Sequence, residues 1–237
     1  MIIDLITRLK KAINYFTKLE IALWCSSLFL ILLSFGIFDR ENYLTLLASV
    51  IGVTSLILNA KGNPLGQFLM IIFGLLYGII SFNFAYYGEM ITYLGMTVPM
   101  AIVALISLLK NPYMGNKAEV EVNSISKKES VFMWILTVFV TVAFYFILKY
   151  FHTANLLPST LSITTSFLAV YLTFRRSSFF ALAYATNDIV LIILWILASL
   201  SDKKYISVVV CFLAFLINDL YGFFNWQKKK LRQRKTP

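Results

Sequence analysis

The sequence predicts an all-α integral membrane protein with eight transmembrane helices. Apolar residues make up 59% of the 237 residues and charged residues only 14%, whereas a soluble domain averages about 25% charged residues. A helix needs about 20 apolar residues to cross a hydrocarbon core about 30 Å thick, and eight segments of roughly that length follow one another. Five of them contain no Asp, Glu, Lys or Arg: 21–38, 42–60, 62–88, 90–109 and 130–148.

The apolar segments are predicted to be helices rather than the strands of a barrel. Each segment is continuous, and none shows the alternation of apolar and polar residues that barrel strands require. The first segment lacks a small-residue cleavage site, so it is interpreted as a retained helix and not as a signal peptide. The expected helices are 21–38, 43–60, 65–84, 89–109, 130–149, 156–174, 178–199 and 205–226.

The connections between these helices divide the chain into groups. Most connections are a few residues long, whereas 110–129 is a long polar stretch. Two groups of three helices joined by a single helix have the same orientation, which is the arrangement of parallel repeats in some transporters. The expected domains are an amphipathic segment with a peripheral helix (1–42), a first three-helix repeat (43–109), a cytoplasmic loop with a connecting helix (110–155), a second three-helix repeat (156–227) and a basic cytoplasmic tail (228–237).

The positions of Lys and Arg predict the orientation of the chain in the membrane. With eight spans and a cytoplasmic N-terminus, 17 of the 21 Lys and Arg lie in cytoplasmic segments and 4 lie outside. This is the bias of the positive-inside rule, and it places both termini on the cytoplasmic side. The net charge of +10 is therefore attributed to topology rather than to nucleic-acid binding. The basic cluster at 228–235 is interpreted as a topology anchor.

Few residues in the sequence are suited to catalysis or to metal binding. Cys25 and Cys211 fall in separate predicted helices, and His152 is the single histidine. A zinc site needs about four clustered ligands, and an enzyme needs a nucleophile with a base or a metal motif. The sequence therefore predicts no metal, no cofactor and no enzyme. A pair of membrane-embedded aspartates is the enzymatic alternative that it leaves open.

Two Asn-Asp pairs lie inside predicted transmembrane helices. Asn187 and Asp188 are at the centre of the seventh helix, and Asn218 and Asp219 lie in the eighth. A central Asp costs about 2.5–3.5 kcal/mol on membrane-insertion scales, so it is expected to face a cavity or a partner rather than lipid. Because the two helices run in opposite directions, the pairs are expected at nearly the same depth. Two such pairs favour a binding site over simple contacts between helices.

Helical spacing adds polar and aromatic residues to this candidate site. Tyr184 and Trp195 share a helix face with Asp188, and Tyr221 shares one with Asn218. Aromatic rings beside amides and carboxylates suit a ligand that has a flat ring and several hydroxyl groups. The first group of helices adds two more candidates. The predicted substrate-binding residues are Asn187, Asp188, Asn218, Asp219, Tyr221, Tyr184, Gln67, Tyr93 and Trp195.

Two stretches of the chain resemble the PnuC-type vitamin transporters. Residues 179–226 resemble the C-terminal part of that family, through Asn187 and through Asn218 followed by an aromatic-rich helix end, and residues 66–96 resemble its N-terminal helices. The likeness covers about 45–230 and is similar in particular to the Gram-positive branch labelled nicotinamide mononucleotide or riboside transporters. It implies a SWEET-like 3+1+3 fold in a bacterial plasma membrane. It also implies a ligand near the middle of the membrane in contact with Asn187 and Asn218, and facilitated diffusion of nicotinamide riboside with trapping by phosphorylation.

The sequence departs from that family at one point. Familiar members carry a Trp pair just before the Asn of the seventh helix, where this chain has Phe180 and Ala183. The difference leaves thiamine, riboflavin or another nucleoside as alternative cargoes. A membrane-embedded enzyme and a substrate-binding subunit of a larger importer are the alternatives of another class. Proton coupling and assembly into a homo-oligomer also stay open.

Overall fold

The structure, a computed structural model, describes residues 15–84, 86–153 and 155–235. Within these ranges eight helices are long and apolar enough to cross a membrane, which confirms the predicted fold class. Most of the predicted amphipathic segment, residues 1–14, lies outside the described residues.

The helices begin and end within three residues of the predicted boundaries, except at the C-terminus. A π-helical turn, Tyr93–Thr97, interrupts the fourth helix, and a 3-10 turn, Lys203–Tyr205, precedes the eighth. A small antiparallel hairpin lies within the long polar stretch, with β1 (Pro112–Tyr113) and β2 (Asn116–Val120). The helices are α1 (Lys18–Phe38), α2 (Tyr43–Ala60), α3 (Pro64–Asn83), α4 (Tyr87–Lys110), α5 (Lys127–Tyr150), α6 (Leu156–Phe174), α7 (Phe180–Ser199) and α8 (Ile206–Lys235).

Polar residues in the short connections fix where several helices begin. Thr17 and Glu20 form a capping box at the start of α1, in which each side chain accepts a hydrogen bond from the other residue's backbone N–H. Asn63 caps α3, and Pro64 occupies its first position, where the missing N–H has no helical partner to lose. Ser126 caps α5 in the same way as Thr17 caps α1.

Six of the helices form a ring. Within it α3 packs between α2 and α4, and α7 packs between α6 and α8. Contacts of α2 with α8 and of α4 with α6 close the ring. The two groups of three therefore have the same order in space, and their origin as parallel repeats stays a prediction. The remaining helices pack outside, α1 against α2 and α8, and α5 against α6.

One end of the bundle gathers the basic residues and is called the basic end. It carries Lys61 after α2, Arg175 and Arg176 after α6, and the last turns of α8. Here α8 does not end near residue 226 but continues as one helix to Lys235. The residues predicted as a basic tail are therefore helical up to 235, and the hairpin lies against them.

The peripheral helix α1 is attached to the ring by polar contacts. The Trp24 indole N–H donates to Thr54 Oγ1 on α2 at 3.1 Å. Near the basic end the buried Glu20 carboxylate pairs with Lys61 Nζ at 3.0 Å. Hydrogen bonds of this kind are common between membrane helices. They fix α1 against α2 and α8.

Candidate functional site

A cavity lies at the centre of the ring, and each of the six ring helices contributes to its wall. The space inside it that a water-sized molecule can occupy is about 20 Å³, so the side chains pack closely around a narrow cavity. The lining residues combine aromatic rings with a small set of polar groups, as ligand sites usually do. They are Leu56, Met70, Phe73, Gly74, Tyr93, Thr97, Ser166, Tyr184, Asn187, Asp188, Phe212, Phe215 and Asp219.

Asn187 is held in one orientation by hydroxyl groups of α6. Its Oδ1 accepts hydrogen bonds from Thr165 Oγ1 at 2.8 Å and from Ser166 Oγ at 3.0 Å. With both acceptor positions occupied, the amide nitrogen is the end that faces Tyr93 and the cavity. The residue therefore presents a fixed hydrogen-bond donor to the cavity.

Two carboxyl groups give the cavity its chemical character. The side chains of Asp188 and Asp219 are buried and lie within interaction range of each other. Asp188 Oδ2 and Thr97 Oγ1 have no hydrogen-bond partner of good geometry among the described residues. No Lys or Arg lines the cavity in the part of the chain that the structure describes. A cationic or hydroxyl-bearing ligand would satisfy these oxygens, whereas an anion would meet them without a compensating charge.

The aromatic surface of the cavity comes mainly from α3, α4 and α8, and α7 adds Tyr184. The Phe73 ring lies 5.2 Å from that of Phe215, and the Phe212 ring lies 5.5 Å from Phe215. Tyr93 meets Phe73 edge to face at 6.4 Å. Phe180, at one of the two departing positions, instead packs 4.7 Å from the Trp226 ring at the basic end. Most of the aromatic wall is thus supplied by other helices than the family pattern predicts, and Tyr184 is the contribution of α7.

A second aromatic cluster closes the cavity at the end opposite the basic end, which is called the aromatic end. The buried Trp195 N–H donates to the Tyr77 hydroxyl at 2.6 Å. Tyr77 in turn packs against the rings of Phe73 and Tyr93. Tyr86 lies 4.9 Å from Trp195 on the outer side. This cluster covers the cavity with aromatic rings.

Comparison with known proteins identifies the family. A sequence model of the nicotinamide mononucleotide transporter family matches residues 42–228. The chain belongs to this family. Its sequence is 27% identical over 198 residues, which are 81% of this chain and 74% of the relative, to the nicotinamide riboside transporter PnuC of Neisseria mucosa. A crystal structure of the vitamin B3 transporter PnuC has the same fold, with a TM-score of 0.80, 22% identity and coverage of 92% of this chain and 94% of that one.

The cavity of this nicotinamide mononucleotide transporter family member brings together five of the nine predicted residues. These are Tyr93, Tyr184, Asn187, Asp188 and Asp219. The expectation that the two Asn-Asp pairs lie at matched depth agrees with the closeness of the two carboxyl groups.

The other four predicted residues lie outside the cavity wall. Gln67 precedes the wall residues Met70 and Gly74 on the same face of α3, one turn nearer the basic end. Trp195 belongs to the aromatic end. Asn218 and Tyr221 face α1, where Asn218 Nδ2 donates to Ser27 Oγ at 2.9 Å and the Tyr221 hydroxyl donates to Glu20 Oε1 at 3.0 Å.

The wall also contains two phenylalanines of α8 that the sequence reasoning did not single out, and it contains Thr97, which shares a face of the fourth helix with Tyr93 and was expected to face the same cavity. Phe212 and Phe215 precede Asp219 by seven and four residues, so all three share one face of α8. That spacing was the available signal. Thr97 follows Tyr93 by four residues, and both belong to the π-helical turn of α4, a feature that is frequent at functional sites.

Asn218→Leu is expected to reduce stability rather than ligand binding. The substitution removes the hydrogen bond to Ser27, which corresponds to about 1 kcal/mol of unfolding free energy. Thermal unfolding in detergent, with and without ligand, separates the two effects. A normal melting temperature together with lost binding would show that the Asn218 amide contacts the ligand, as the family resemblance implies.

Gly52→Ala is expected to weaken ligand binding about tenfold. A loss of about 1.4 kcal/mol in binding free energy corresponds to that factor. A Cβ at Gly52 would lie 2.2 Å from Cζ of Phe215 and 3.0 Å from Cδ2 of Phe73. The rings must therefore move into the cavity. Titration calorimetry measures the loss, and Gly36→Ala is the control because a Cβ at Gly36 meets nothing within 4 Å. Equal affinities of both variants would contradict the assignment of this aromatic wall.

Proposed function

We propose that the chain takes up nicotinamide riboside across a bacterial plasma membrane by facilitated diffusion. The observation that carries the proposal is the pair of carboxyl groups in the cavity wall. Two carboxyl groups, Asp188 and Asp219, face each other there, and no Lys or Arg is present among the described wall residues. Nicotinamide riboside has a positively charged pyridinium ring and an uncharged ribose. A charge of that sign is attracted by carboxylates in a medium of low dielectric constant.

The other wall groups suit the rest of the same molecule. The rings of Phe73, Phe212 and Phe215 offer faces and edges for a flat ring. The Asn187 amide and the Thr97 hydroxyl offer a donor and an acceptor to ribose hydroxyls. The mononucleotide carries an additional phosphate, which would require Lys, Arg or a helix N-terminus to balance its charge. The name of the Neisseria relative also refers to the riboside.

The basic end is proposed to face the cytoplasm. This orientation follows the positive-inside bias and places both termini inside the cell. Nicotinamide riboside would then enter past the aromatic end and leave past the basic end. Phosphorylation in the cytoplasm would trap it, so that no energy source acts on the chain itself. In this proposal the chain is a transporter and not an enzyme.

Thiamine is the second candidate cargo, because it also combines a positive charge with flat rings. Riboflavin has no positive charge and fits the carboxyl pair less well. A substrate-binding subunit of a larger importer would share the cavity but would need an energising partner.

Uptake by the purified chain in proteoliposomes tests the proposal. We expect saturable uptake of labelled nicotinamide riboside without ATP or an ion gradient. Excess unlabelled riboside should compete, whereas the mononucleotide should not. If thiamine alone competes, thiamine and not nicotinamide riboside is the cargo. If the purified chain takes up none of these compounds, the chain is better explained as a substrate-binding subunit of a larger importer.

A further inference from the structure

The connections after α2 and after α6 adopt the same turn conformation. Gly62 and Arg176 both have left-handed backbone angles, with φ of 69° and 54°. In the first turn the backbone N–H of Asn63 donates to the Leu58 carbonyl at 3.0 Å, and in the second Ser177 donates to Leu172 at 2.9 Å. Helices often end in this way, with a left-handed residue just past the last turn. The two groups of three helices therefore present equivalent turns at the basic end.

Each of these helix ends is capped by the last helix of the other group. The carbonyl of Asn59 on α2 accepts a hydrogen bond from the Trp226 indole at 2.8 Å. The carbonyl of Phe174 on α6 accepts one from Ser107 Oγ of α4 at 2.8 Å. The last carbonyls of a helix have no partner within it. Separation of the two groups at the basic end would break both of these hydrogen bonds, and the Asn59 carbonyl would keep only the Gly62 N–H of its own turn.

A short backbone segment then connects the two turns. This segment, Val120–Asn123, begins with the last residue of β2 and continues beyond the hairpin. Its first N–H, of Val120, donates to the Gly62 carbonyl at 3.0 Å, and its last, of Asn123, donates to the Arg176 carbonyl at 3.0 Å. The same carbonyl is used in both turns, that of the left-handed residue. The segment is thus hydrogen-bonded to equivalent atoms of both groups.

Gln233 attaches this segment to α8. Its Nε2 donates to the Val120 carbonyl at 3.1 Å, and its Oε1 accepts from the Val122 N–H at 2.8 Å. One side-chain amide therefore pairs with the segment as a neighbouring strand would. The segment is joined to the first group by the chain itself, because the hairpin connects it to the end of α4. Its bonds to Arg176 and to Gln233 are the ones that join it to the second group.

We propose that Val120–Asn123 is a latch that holds the basic end closed, and that Gln233 is the side chain that fastens it. The role of a latch rests on the proposed function, because a transporter must expose its cavity at this end. Exposure requires the two groups to separate there. The aromatic end, by contrast, is closed mainly by packed rings around Trp195 and Tyr77. Opening at the basic end therefore breaks the hydrogen bonds of the latch, and opening at the aromatic end does not.

Reaction of a cysteine placed in the cavity tests the latch without any substrate. The reporter is Thr97→Cys in a chain that also carries Cys25→Ser and Cys211→Ala. A membrane-impermeant thiol reagent is applied to the basic end in oriented vesicles. Gln233→Met keeps the side-chain length but removes the amide, and with it the hydrogen bonds to Val120, Val122 and Glu119. It is expected to speed the reaction about tenfold, because these three hydrogen bonds of ordinary net strength are lost.

Gln227→Met is the matched control. Gln227 lies on the same helix, but its Oε1 accepts from Ser178 Oγ at 3.4 Å within the second group. The cysteine in the Gln227→Met variant is expected to react with the thiol reagent at the same rate as in the parent chain. Equal rates for Gln233→Met and Gln227→Met, both monodisperse on gel filtration, would overturn the latch. Applied to the aromatic end, the reagent should show no acceleration. Because no substrate is present, failed uptake of nicotinamide riboside would refute the cargo and leave this result standing.

Discussion

Asn187→Leu is expected to weaken the binding of nicotinamide riboside by about 10- to 100-fold, and also to lower stability, because it removes the hydrogen bonds that Asn187 accepts from Thr165 and Ser166. Leaving a buried polar group of the ligand without its partner costs about 1–3 kcal/mol, and each 1.4 kcal/mol is a factor of ten in affinity. Leucine has a similar volume, so the wall should keep its shape. Titration calorimetry of the purified protein measures the effect.

The comparison with Asn218→Leu makes this expectation specific. Both are buried asparagines that precede an aspartate, but Asn187 lines the cavity and Asn218 donates to Ser27 on α1. Binding should therefore be lost in the first variant and kept in the second. Similar affinities in both would mean that the Asn187 amide has no contact with the ligand.

Replacing both carboxyl groups, in Asp188→Asn with Asp219→Asn, is expected to reduce affinity for nicotinamide riboside by at least tenfold. The attraction between unit charges near 4 Å is of order 4 kcal/mol at an effective dielectric constant of 20, and part of it is offset by the desolvation of both charges. The amides keep the size of the side chains and can bond with each other. The measurement is the dissociation constant of the double variant relative to the parent.

Dihydronicotinamide riboside, whose ring has no charge, is the control ligand. The same double variant should bind it at least as well as the parent does. The ratio of the two affinities is therefore the decisive quantity, since a general distortion of the cavity would weaken both ligands. An unchanged ratio would remove the electrostatic basis for choosing a cationic cargo.

The helices could be predicted from the sequence because the bilayer imposes a length and excludes charge. Segments such as 43–60 and 156–174 are bounded by polar residues on both sides, and the structure has Tyr43–Ala60 and Leu156–Phe174. The end of α8 could not be predicted in the same way. Lys228 and its basic neighbours mark where the membrane ends, but charged residues continue a helix as readily as they end it.

The candidate site was only partly predictable, because spacing assigns residues to a helix face without saying what that face meets. Asn187 and Asn218 are each followed by an aspartate and are similarly buried. The difference between them comes from α1, which packs against α8. The Asn218 amide donates a hydrogen bond to Ser27 of α1. Hydropathy describes α1 as one more span and contains nothing about its partners.

The unbroken course of α8 has a practical consequence. Thirty helical residues extend about 45 Å at 1.5 Å each, which is about 15 Å more than the hydrocarbon core is thick. The same helix that places Asp219 in the cavity therefore extends beyond the hydrocarbon core and continues to Lys235. A bulky affinity tag or a fluorescent protein fused there would be attached directly to this helix and would crowd the hairpin beside it. Fusion partners intended to be silent in transport assays belong on a long flexible spacer.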